Sequence, residues 1–133
     1  MKKLVLVLLT MIWLGTFVIA CDSSSTKNNY KSVDPNEFEQ IIKDSTVIIL
    51  DVRAKTEYAA GHIIGSICLD VNQEDFETQA KELLPKDRTI AIYCRSGRRS
   101  KIAAQILVNN GYNVVELDCG INCWISCDKQ IEK

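Results

Sequence analysis

One short segment of this chain combines a cysteine with a glycine and three arginines: Cys94-Arg95-Ser96-Gly97-Arg98-Arg99. The segment follows an apolar run that ends at Tyr93, and residues with helical spacing come directly after it. The thiol is therefore predicted at the start of a helix, where the helix dipole and nearby guanidinium groups favour the thiolate form of cysteine. Cys94 is predicted to be a nucleophile.

The residues after this cysteine are suited to holding an anion. Gly97 has no side chain and tolerates positive φ, so successive backbone N–H groups around it can curl into a nest for negative charge. A buried structural cysteine is the alternative interpretation of Cys94, but burial among apolar groups requires neither the glycine nor the arginines. We expect the anion-binding loop to comprise Arg95, Ser96, Gly97, Arg98, Arg99 and Ser100.

The elements that position this loop can be predicted from the sequence, in which strand and helix patterns alternate. Short β-branched runs predict strands over residues 47–50, 66–69, 89–93 and 113–117. Helical spacing predicts helices that begin at Pro35 and at Ile121 and that cover residues 55–60, 74–84 and 100–110. This alternation predicts an α/β fold, with a mostly parallel sheet covered on both faces by helices. In such sheets the chemistry lies at the carboxyl ends of the strands, where Cys94 falls.

Residues 32–127 resemble a single rhodanese-like domain. The matching segments are Asp51-Val52-Arg53 with Glu57-Tyr58, Gly61-His62-Ile63-Ile64-Gly65-Ser66, the Cys94 loop, and Gly111-Tyr112 with Gly120-Ile121-Asn122-Cys123-Trp124. Each segment alone is a weak signal, whereas their combination in this order is strong. The resemblance implies a three-layer fold with a mostly parallel five-stranded sheet.

The resemblance also implies sulfur transfer. The Cys94 thiolate would take a sulfane sulfur from an anionic donor such as thiosulfate, a persulfide or a polysulfide, and hold it as a persulfide. A thiol, such as that of a periplasmic protein, or cyanide would then accept the sulfur, giving ping-pong kinetics. The loop amides and arginines would stabilise the anionic terminal sulfur. No metal or organic cofactor is required, and a monomer is expected.

Two other functions use a similar loop. Phosphatases that attack phosphate through cysteine place an arginine six residues later, where this chain has Ser100, so its shorter loop favours a smaller anion. Rhodanese-like domains also serve as non-catalytic binding modules when the loop cysteine is lost, and here Cys94 is retained. The alternative function is a non-catalytic or redox-sensing module.

The chain departs from the family pattern at three positions. Ile64 replaces the usual proline of the turn, which removes a preset φ. Cys119 replaces the first closing glycine, so any positive φ required there would be strained. Cys123 adds a thiol before Trp124, which is interpreted as a core residue.

The six cysteines allow several outcomes. Apart from Cys94 and a lipidated Cys21, four remain, and in an oxidising compartment they allow up to two disulfides. Cys119, Cys123 and Cys127 are spaced by four residues, and adjacent turns of a helix are poorly arranged for a disulfide. A zinc site lacks a nearby histidine. Cys119 or Cys123 is also a candidate to resolve a persulfide on Cys94, and buried thiols or a structural bridge are the favoured alternatives.

Three polar residues near the predicted strand ends receive structural interpretations. Asp51 and Arg53 are candidate supporting residues of the site, and a structural ion pair between them is favoured over contact with the substrate. His62 is the single histidine of the chain and belongs to the turn motif. We therefore interpret His62 as a structural residue and not as a general base.

The N-terminus resembles a bacterial lipoprotein signal peptide. Met1-Lys2-Lys3 precedes uncharged residues 4–20, and Val18-Ile19-Ala20-Cys21 resembles a lipobox, whose cysteine is lipidated after cleavage. An uncleaved anchor helix is the alternative. The predicted organisation is a signal peptide over 1–20, a lipidated Cys21 with a polar tether over 21–31, and a domain over 32–133. This domain would face the periplasm or the exterior, anchored to the cell membrane or the outer membrane.

The overall charge excludes one class of partner. The chain has 16 basic and 17 acidic side chains, for a formal net charge of −1. Nucleic-acid binding depends on a basic surface that neutralises phosphates. No nucleic-acid partner is expected.

Overall fold

Five strands lie side by side in one parallel sheet. The computed structural model describes residues 29–133. The seven strands in this part of the chain are β1 Lys31–Val33, β2 Ile48–Asp51, β3 His62–Ile63, β4 Ile67–Cys68, β5 Ile90–Tyr93, β6 Val114–Leu117 and β7 Ile131–Glu132. The order in the main sheet is β1-β6-β5-β2-β4, and every neighbouring pair is parallel. The predicted α/β fold with a five-stranded sheet is confirmed.

Helices cover both faces of this sheet. The five helices of the described residues are α1 Pro35–Ile42, α2 Lys55–Ala60, α3 Phe76–Leu83, α4 Arg98–Asn109 and α5 Gly120–Ser126. Asp34 caps α1, since its carboxylate accepts the Glu37 N–H at 2.9 Å, and Pro35 occupies the first turn, where its missing N–H costs nothing.

Successive side chains of the central strands lie on opposite faces of the sheet, and this alternation divides the core into two clusters. In β5, Ile90 and Ile92 pack against α3 and α4, whereas Ala91 and Tyr93 pack on the face that carries α1 and α5. All four side chains are fully buried, as expected for a central strand of a parallel sheet. Trp124 is buried in the second cluster, which confirms its prediction as a core residue. The rigid sheet thus fixes the end of β5, from which Cys94 follows.

Three short strands were missed by the sequence analysis. β1 begins at Lys31, the last residue of the predicted tether, and Tyr30 before it packs against the core. β3 and β7 form a separate antiparallel pair in which Ile63 lies opposite Ile131. Strands of two or three residues carry too little periodicity to be recognised from sequence.

The predicted helices all form, and some of their ends are shifted. The helix predicted over 100–110 begins at Arg98, because Gly97 provides the left-handed residue that precedes it. The helix predicted over 74–84 is confined to Phe76–Leu83, since Asp75 and Leu84 have non-helical dihedral angles. Helix α2 covers the predicted residues 55–60.

The predicted signal peptide, Cys21 and most of the tether lie outside the described residues. Within residues 29–133, no helix has both the length and the apolar character that a membrane crossing requires.

Candidate active site

Cys94 follows β5 directly, at the carboxyl edge of the sheet. Its side chain is 1% exposed, and its sulfur accepts the Gly97 N–H at an N···S distance of 3.1 Å. The sulfur also lies 3.4 Å from Ser100 Oγ. An N–H donor directed at sulfur stabilises negative charge that develops there. The loop therefore folds back over its own cysteine and supplies that donor.

The backbone conformation of Gly97 allows its N–H to reach the Cys94 sulfur. Its φ of +99° belongs to the left-handed region, which glycine adopts without a steric penalty. A Cβ atom at this position would lie 1.9 Å from the Asp118 carbonyl oxygen. Both the dihedral angle and the space therefore require glycine. The prediction of a positive φ at Gly97 is confirmed.

The start of α5 supports the other side of the loop. The Ile121 N–H donates to the Cys94 carbonyl at 2.9 Å, and the Asn122 N–H donates to the Arg95 carbonyl at 3.1 Å. Gly120, with φ +67°, lies so close that a Cβ atom would come within 2.6 Å of the Cys94 carbonyl oxygen. The strain expected at Cys119 is absent, since its φ is −105° and Gly120 takes the positive value.

The three arginines of the loop have different environments. Arg99 forms a bidentate ion pair with Glu57 of α2, with N···O distances of 2.7 and 2.8 Å. The hydrogen bond from Arg99 lowers the pKa of Glu57 to about 2. Arg95 and Arg98 are exposed, as is Ser96, and no salt bridge among residues 29–133 involves either arginine. These two guanidinium groups are available to attract an anion.

Asp51 and Arg53 form the predicted ion pair beneath the site. The Arg53 guanidinium contacts the Asp51 carboxylate at 2.7 Å and also donates to the Gly61 carbonyl at 2.7 Å. Burial opposes the charged form of Arg53, but the hydrogen bond that Arg53 donates to Asp51 and the charge of that carboxylate outweigh it and raise the pKa of Arg53. Both side chains are buried, so the pair joins β2 to the turn after α2.

Two cysteines near the loop are bonded to each other. A disulfide joins Cys119 to Cys123, with Cα atoms 5.6 Å apart. The expectation that this spacing is poorly arranged for bridging was wrong, because Cys119 caps the helix from outside instead of lying on its first turn. The structure thus has the structural bridge that the sequence left as an alternative. A resolving role for Cys119 or Cys123 would first require reduction of this bond.

The turn that contains the single histidine is intact. His62 Nδ1 lies 2.8 Å from the Tyr58 carbonyl oxygen, and its ring stacks on Tyr58 with a centroid distance of 3.7 Å. The turn closes through a 3.0 Å hydrogen bond from the Ser66 N–H to the Ile63 carbonyl, despite the exposed Ile64 in place of proline. These contacts support the structural interpretation of His62.

Sequence analysis missed two residues of the site. Glu57 orients Arg99, and its only signal was its place in the Asp51-to-Tyr58 motif. Glu116 is fully buried in β6 and accepts the Ser100 hydroxyl at 2.6 Å. A carboxylate inside a strand of apolar residues could have been singled out, because buried acidic side chains are rare.

A shallow cavity of about 270 Å³ opens beside the loop. Arg95 borders it on one side, and the first turns of α5 form another wall. Its lining combines charged and apolar side chains, including Arg53, Glu57, Ile121, Asn122 and Ile125. In the described part of the chain, no group of three or more His, Cys, Asp or Glu side chains is arranged to hold a metal ion.

Comparison with known proteins agrees with this geometry. The sequence model of the Rhodanese-like domain family matches residues 34–127. The chain is 34% identical over 99 residues to the thiosulfate sulfurtransferase GlpE of Pseudomonas fluorescens, which covers 73% of this chain and 86% of that protein. The matched region includes the whole of the loop and the strands on either side of it.

Two further similarities differ in how much of the other protein they cover. The chain is 28% identical over 109 residues to the tRNA uridine(34) hydroxylase of Chlamydia caviae, a match that covers 77% of this chain and only 33% of that protein. A rhodanese-related protein from Thermoplasma volcanium superposes with a TM-score of 0.69 at 28% identity, over 77% of this chain and 98% of that one. The shared unit is thus one complete domain.

Proposed function

Because this chain belongs to the rhodanese-like domain family, we propose that it transfers sulfane sulfur through a persulfide on Cys94. The observation that carries the proposal is the buried sulfur that accepts the Gly97 N–H within a loop bearing two exposed arginines. A peptide donor aimed at sulfur stabilises negative charge there. The family contains sulfurtransferases, and thiosulfate is the donor that we propose for this member.

The first half-reaction loads the cysteine. The Cys94 thiolate attacks the outer sulfur of thiosulfate, a new S–S bond forms, and the S–S bond of thiosulfate breaks. The electron pair of that bond leaves on sulfite, so a thiolate and a thiosulfate dianion become a persulfide anion and a sulfite dianion. Arg95 and Arg98 attract the dianionic donor and stabilise the departing sulfite through charge-assisted hydrogen bonds.

The second half-reaction returns the cysteine to its starting state. A thiolate or cyanide attacks the terminal sulfur, and the S–S bond to Cys94 breaks with its electron pair on Sγ. The cavity beside Arg95 offers a surface for the acceptor, with apolar contacts from Ile121 and Ile125. We propose a thiol acceptor, because this lining is too extended for cyanide alone.

A sulfur-transfer assay tests the proposal. Purified protein with thiosulfate and either cyanide or a dithiol is expected to release thiocyanate or sulfide, and Cys94→Ser is expected to reduce the rate at least ~1000-fold, the size of effect seen when a nucleophile is removed. Cys127→Ser is the matched control, because Cys127 is an exposed free thiol. Background rates in both the unmodified protein and Cys94→Ser would contradict the proposal and favour a binding or redox-sensing module.

The N-terminal sequence supports a second proposal, on location. Lipid on Cys21 would tether the domain outside the cytoplasm, facing the periplasm or the exterior, and two or more acyl chains bind a membrane firmly where one does not. Metabolic labelling with a radioactive fatty acid is expected to label the full-length protein and not Cys21→Ser. Equal labelling of both proteins, or none of either, would contradict this proposal.

A further inference from the structure

A buried carboxylate lies one hydroxyl group away from the reactive sulfur. Glu116 Oε1 accepts the Ser100 hydroxyl at 2.6 Å, and Ser100 Oγ lies 3.4 Å from Cys94 Sγ. Glu116 has no exposed surface. A fully buried carboxylate is costly unless it is paired, so its place beneath the sulfur calls for an explanation.

The charges around Glu116 do not cancel. The Lys101 ammonium lies 3.3 Å from Glu116 Oε1, and it contacts the Asp118 carboxylate more closely, at 2.7 Å. Two carboxylates therefore share one ammonium group. The other neighbours are neutral: Ser32 donates to Glu116 Oε2 at 2.7 Å, while burial and then the charge of Glu116 raise the pKa of Tyr30. The base of the site consequently carries net negative charge.

The single hydroxyl proton of Ser100 is committed to this carboxylate. A hydroxyl bond to an ionised acceptor at 2.6 Å is stronger than the 3.1 Å contact from Ser100 to the Gly97 carbonyl. Ser100 thus turns lone pairs, and not its proton, toward Cys94 Sγ. The Gly97 amide stabilises charge on the sulfur from the loop side, whereas the base of the site opposes it.

We infer that Glu116 is a positioning residue for charge, which destabilises negative charge on Sγ and so drives it outward onto the terminal sulfur when Cys94 is loaded. This inference rests on the proposed function. In a persulfide the negative charge lies one atom beyond Sγ, where repulsion from Glu116 is weaker and the exposed Arg95 and Arg98 can stabilise it. The same repulsion makes the unloaded thiolate scarcer but more nucleophilic, because nucleophilicity rises with basicity.

Glu116→Gln tests this inference through the pH profile of alkylation. Removing the charge is expected to ease ionisation of Cys94 about tenfold, and a Brønsted coefficient of ~0.4–0.5 then makes each thiolate about threefold less reactive. The rate of Cys94 modification by iodoacetamide, followed by peptide mapping, should therefore rise about threefold near pH 6 and fall about threefold on the alkaline plateau. The two profiles should cross.

Two further variants keep the test decisive. Glu77→Gln removes the same charge from an exposed position of α3 and should reproduce the unmodified profile. Lys101→Gln removes the shared ammonium from a partly exposed position and should shift the profile in the opposite direction to Glu116→Gln. The second variant answers the question even where Glu116→Gln does not fold.

The outcomes separate this inference from the proposed function, because alkylation needs no sulfur donor. The role of Glu116 would be overturned, with sulfur transfer left intact, by pH profiles of Glu116→Gln and Lys101→Gln that superpose on the unmodified profile. It would also be overturned if each variant changed the alkylation rate in the same direction at low pH and at high pH. Crossing profiles together with a lower fraction of persulfide-loaded Cys94 in Glu116→Gln would support it. Absence of any transfer by the unmodified protein would instead contradict the proposed function.

Discussion

Two free cysteines lie at the same edge of the sheet in opposite chemical settings. Cys68 ends β4, and Cys94 follows β5; Asp51 of the intervening strand is level with both Cys68 and Tyr93. Cys94 Sγ accepts an N–H from Gly97, whereas Cys68 Sγ donates to the Arg53 carbonyl at 3.5 Å. Cys94 Sγ also lies within donating distance of Ser100 Oγ, at 3.4 Å, so the two sulfurs differ in the N–H donor that, among the described residues, only Cys94 has.

The charges around the two thiols extend this contrast. Burial raises the pKa of Cys68, and the carboxylates of Asp51 and Asp70 raise it further. The loop of Cys94 carries arginines instead, of which Arg95 and Arg98 are exposed. The proposed nucleophile thus differs from Cys68 in the N–H donor and the cations that the loop after it supplies.

Apart from replacing Cys94 itself, the largest effect is expected from Gly97→Ala, which removes the donor contact that distinguishes Cys94. Both the φ of +99° and the 1.9 Å approach of the Asp118 carbonyl to a new Cβ require the loop to shift. Sulfur-transfer activity should fall at least ~100-fold, the effect of losing one preorganised donor to a developing charge.

A second glycine provides the control for this change. Gly111 also has positive φ, +86°, but the nearest atom to a new Cβ is 4.0 Å away. Gly111→Ala should therefore cost about 1 kcal/mol of unfolding free energy and leave the activity unchanged. Equal activity of the two variants would show that the Gly97 contact does not activate Cys94.

The next effect concerns Glu57, which holds the loop residue Arg99 beside the Cys94 site. The pKa of Glu57 is about 2 in the folded protein, against an ordinary value of 4.5, so its ionised form stabilises the fold above about pH 4.5. This stabilisation is lost as the pH falls toward 2. At neutral pH, Glu57→Gln should cost ~1 kcal/mol after allowance for solvent screening.

Denaturant unfolding at several pH values checks this expectation. The difference in unfolding free energy between the unmodified protein and Glu57→Gln should shrink as the pH is lowered. A difference that stayed constant down to the lowest pH at which both proteins fold would contradict an ionised Glu57–Arg99 pair.

A smaller effect is expected from Asp70→Asn, which makes the setting of Cys68 more like that of Cys94. Loss of one carboxylate charge should lower the pKa of Cys68 and speed its alkylation about threefold at mildly alkaline pH. Peptide mapping measures both thiols in one sample, with the unmodified protein as reference. An unchanged rate at Cys68 would mean that the charge of Asp70 does not affect the pKa of this thiol.

The smallest effect is expected from Cys68→Ser. Cys68 is half-buried and has no part in the proposed reaction, so sulfur-transfer activity should stay within about twofold of the unmodified protein. Steady-state rates with thiosulfate are sufficient for this comparison. A loss approaching that of Cys94→Ser would remove the distinction between the two thiols.

The sequence was sufficient to predict the parts of the site that depend on local pattern. The glycine after Cys94 implied a left-handed residue, and the alternation of apolar runs with helical spacing implied the parallel sheet. Local pattern cannot identify partners from distant segments. The pair between Glu57 and Arg99 joins two helices, and Glu116 reaches Ser100 only because β6 lies beside β5.

Short elements and the disulfide escaped prediction for related reasons. β3 and β7 consist of two residues each, and they exist because segments far apart in the chain meet as an antiparallel pair. The bridge from Cys119 to Cys123 depends on where α5 begins, and helix ends are poorly determined by sequence.

One measurement tests most directly whether Cys94 carries the sulfur. Protein allowed a single turnover with thiosulfate, without an acceptor, is digested under non-reducing conditions and mapped by mass spectrometry. We predict the gain of one sulfur atom on the peptide that contains Cys94, with Cys68 and Cys127 unmodified. Sulfur on either of those residues, or a disulfide from Cys94 to Cys119 or Cys123 in place of the added sulfur, would contradict the account.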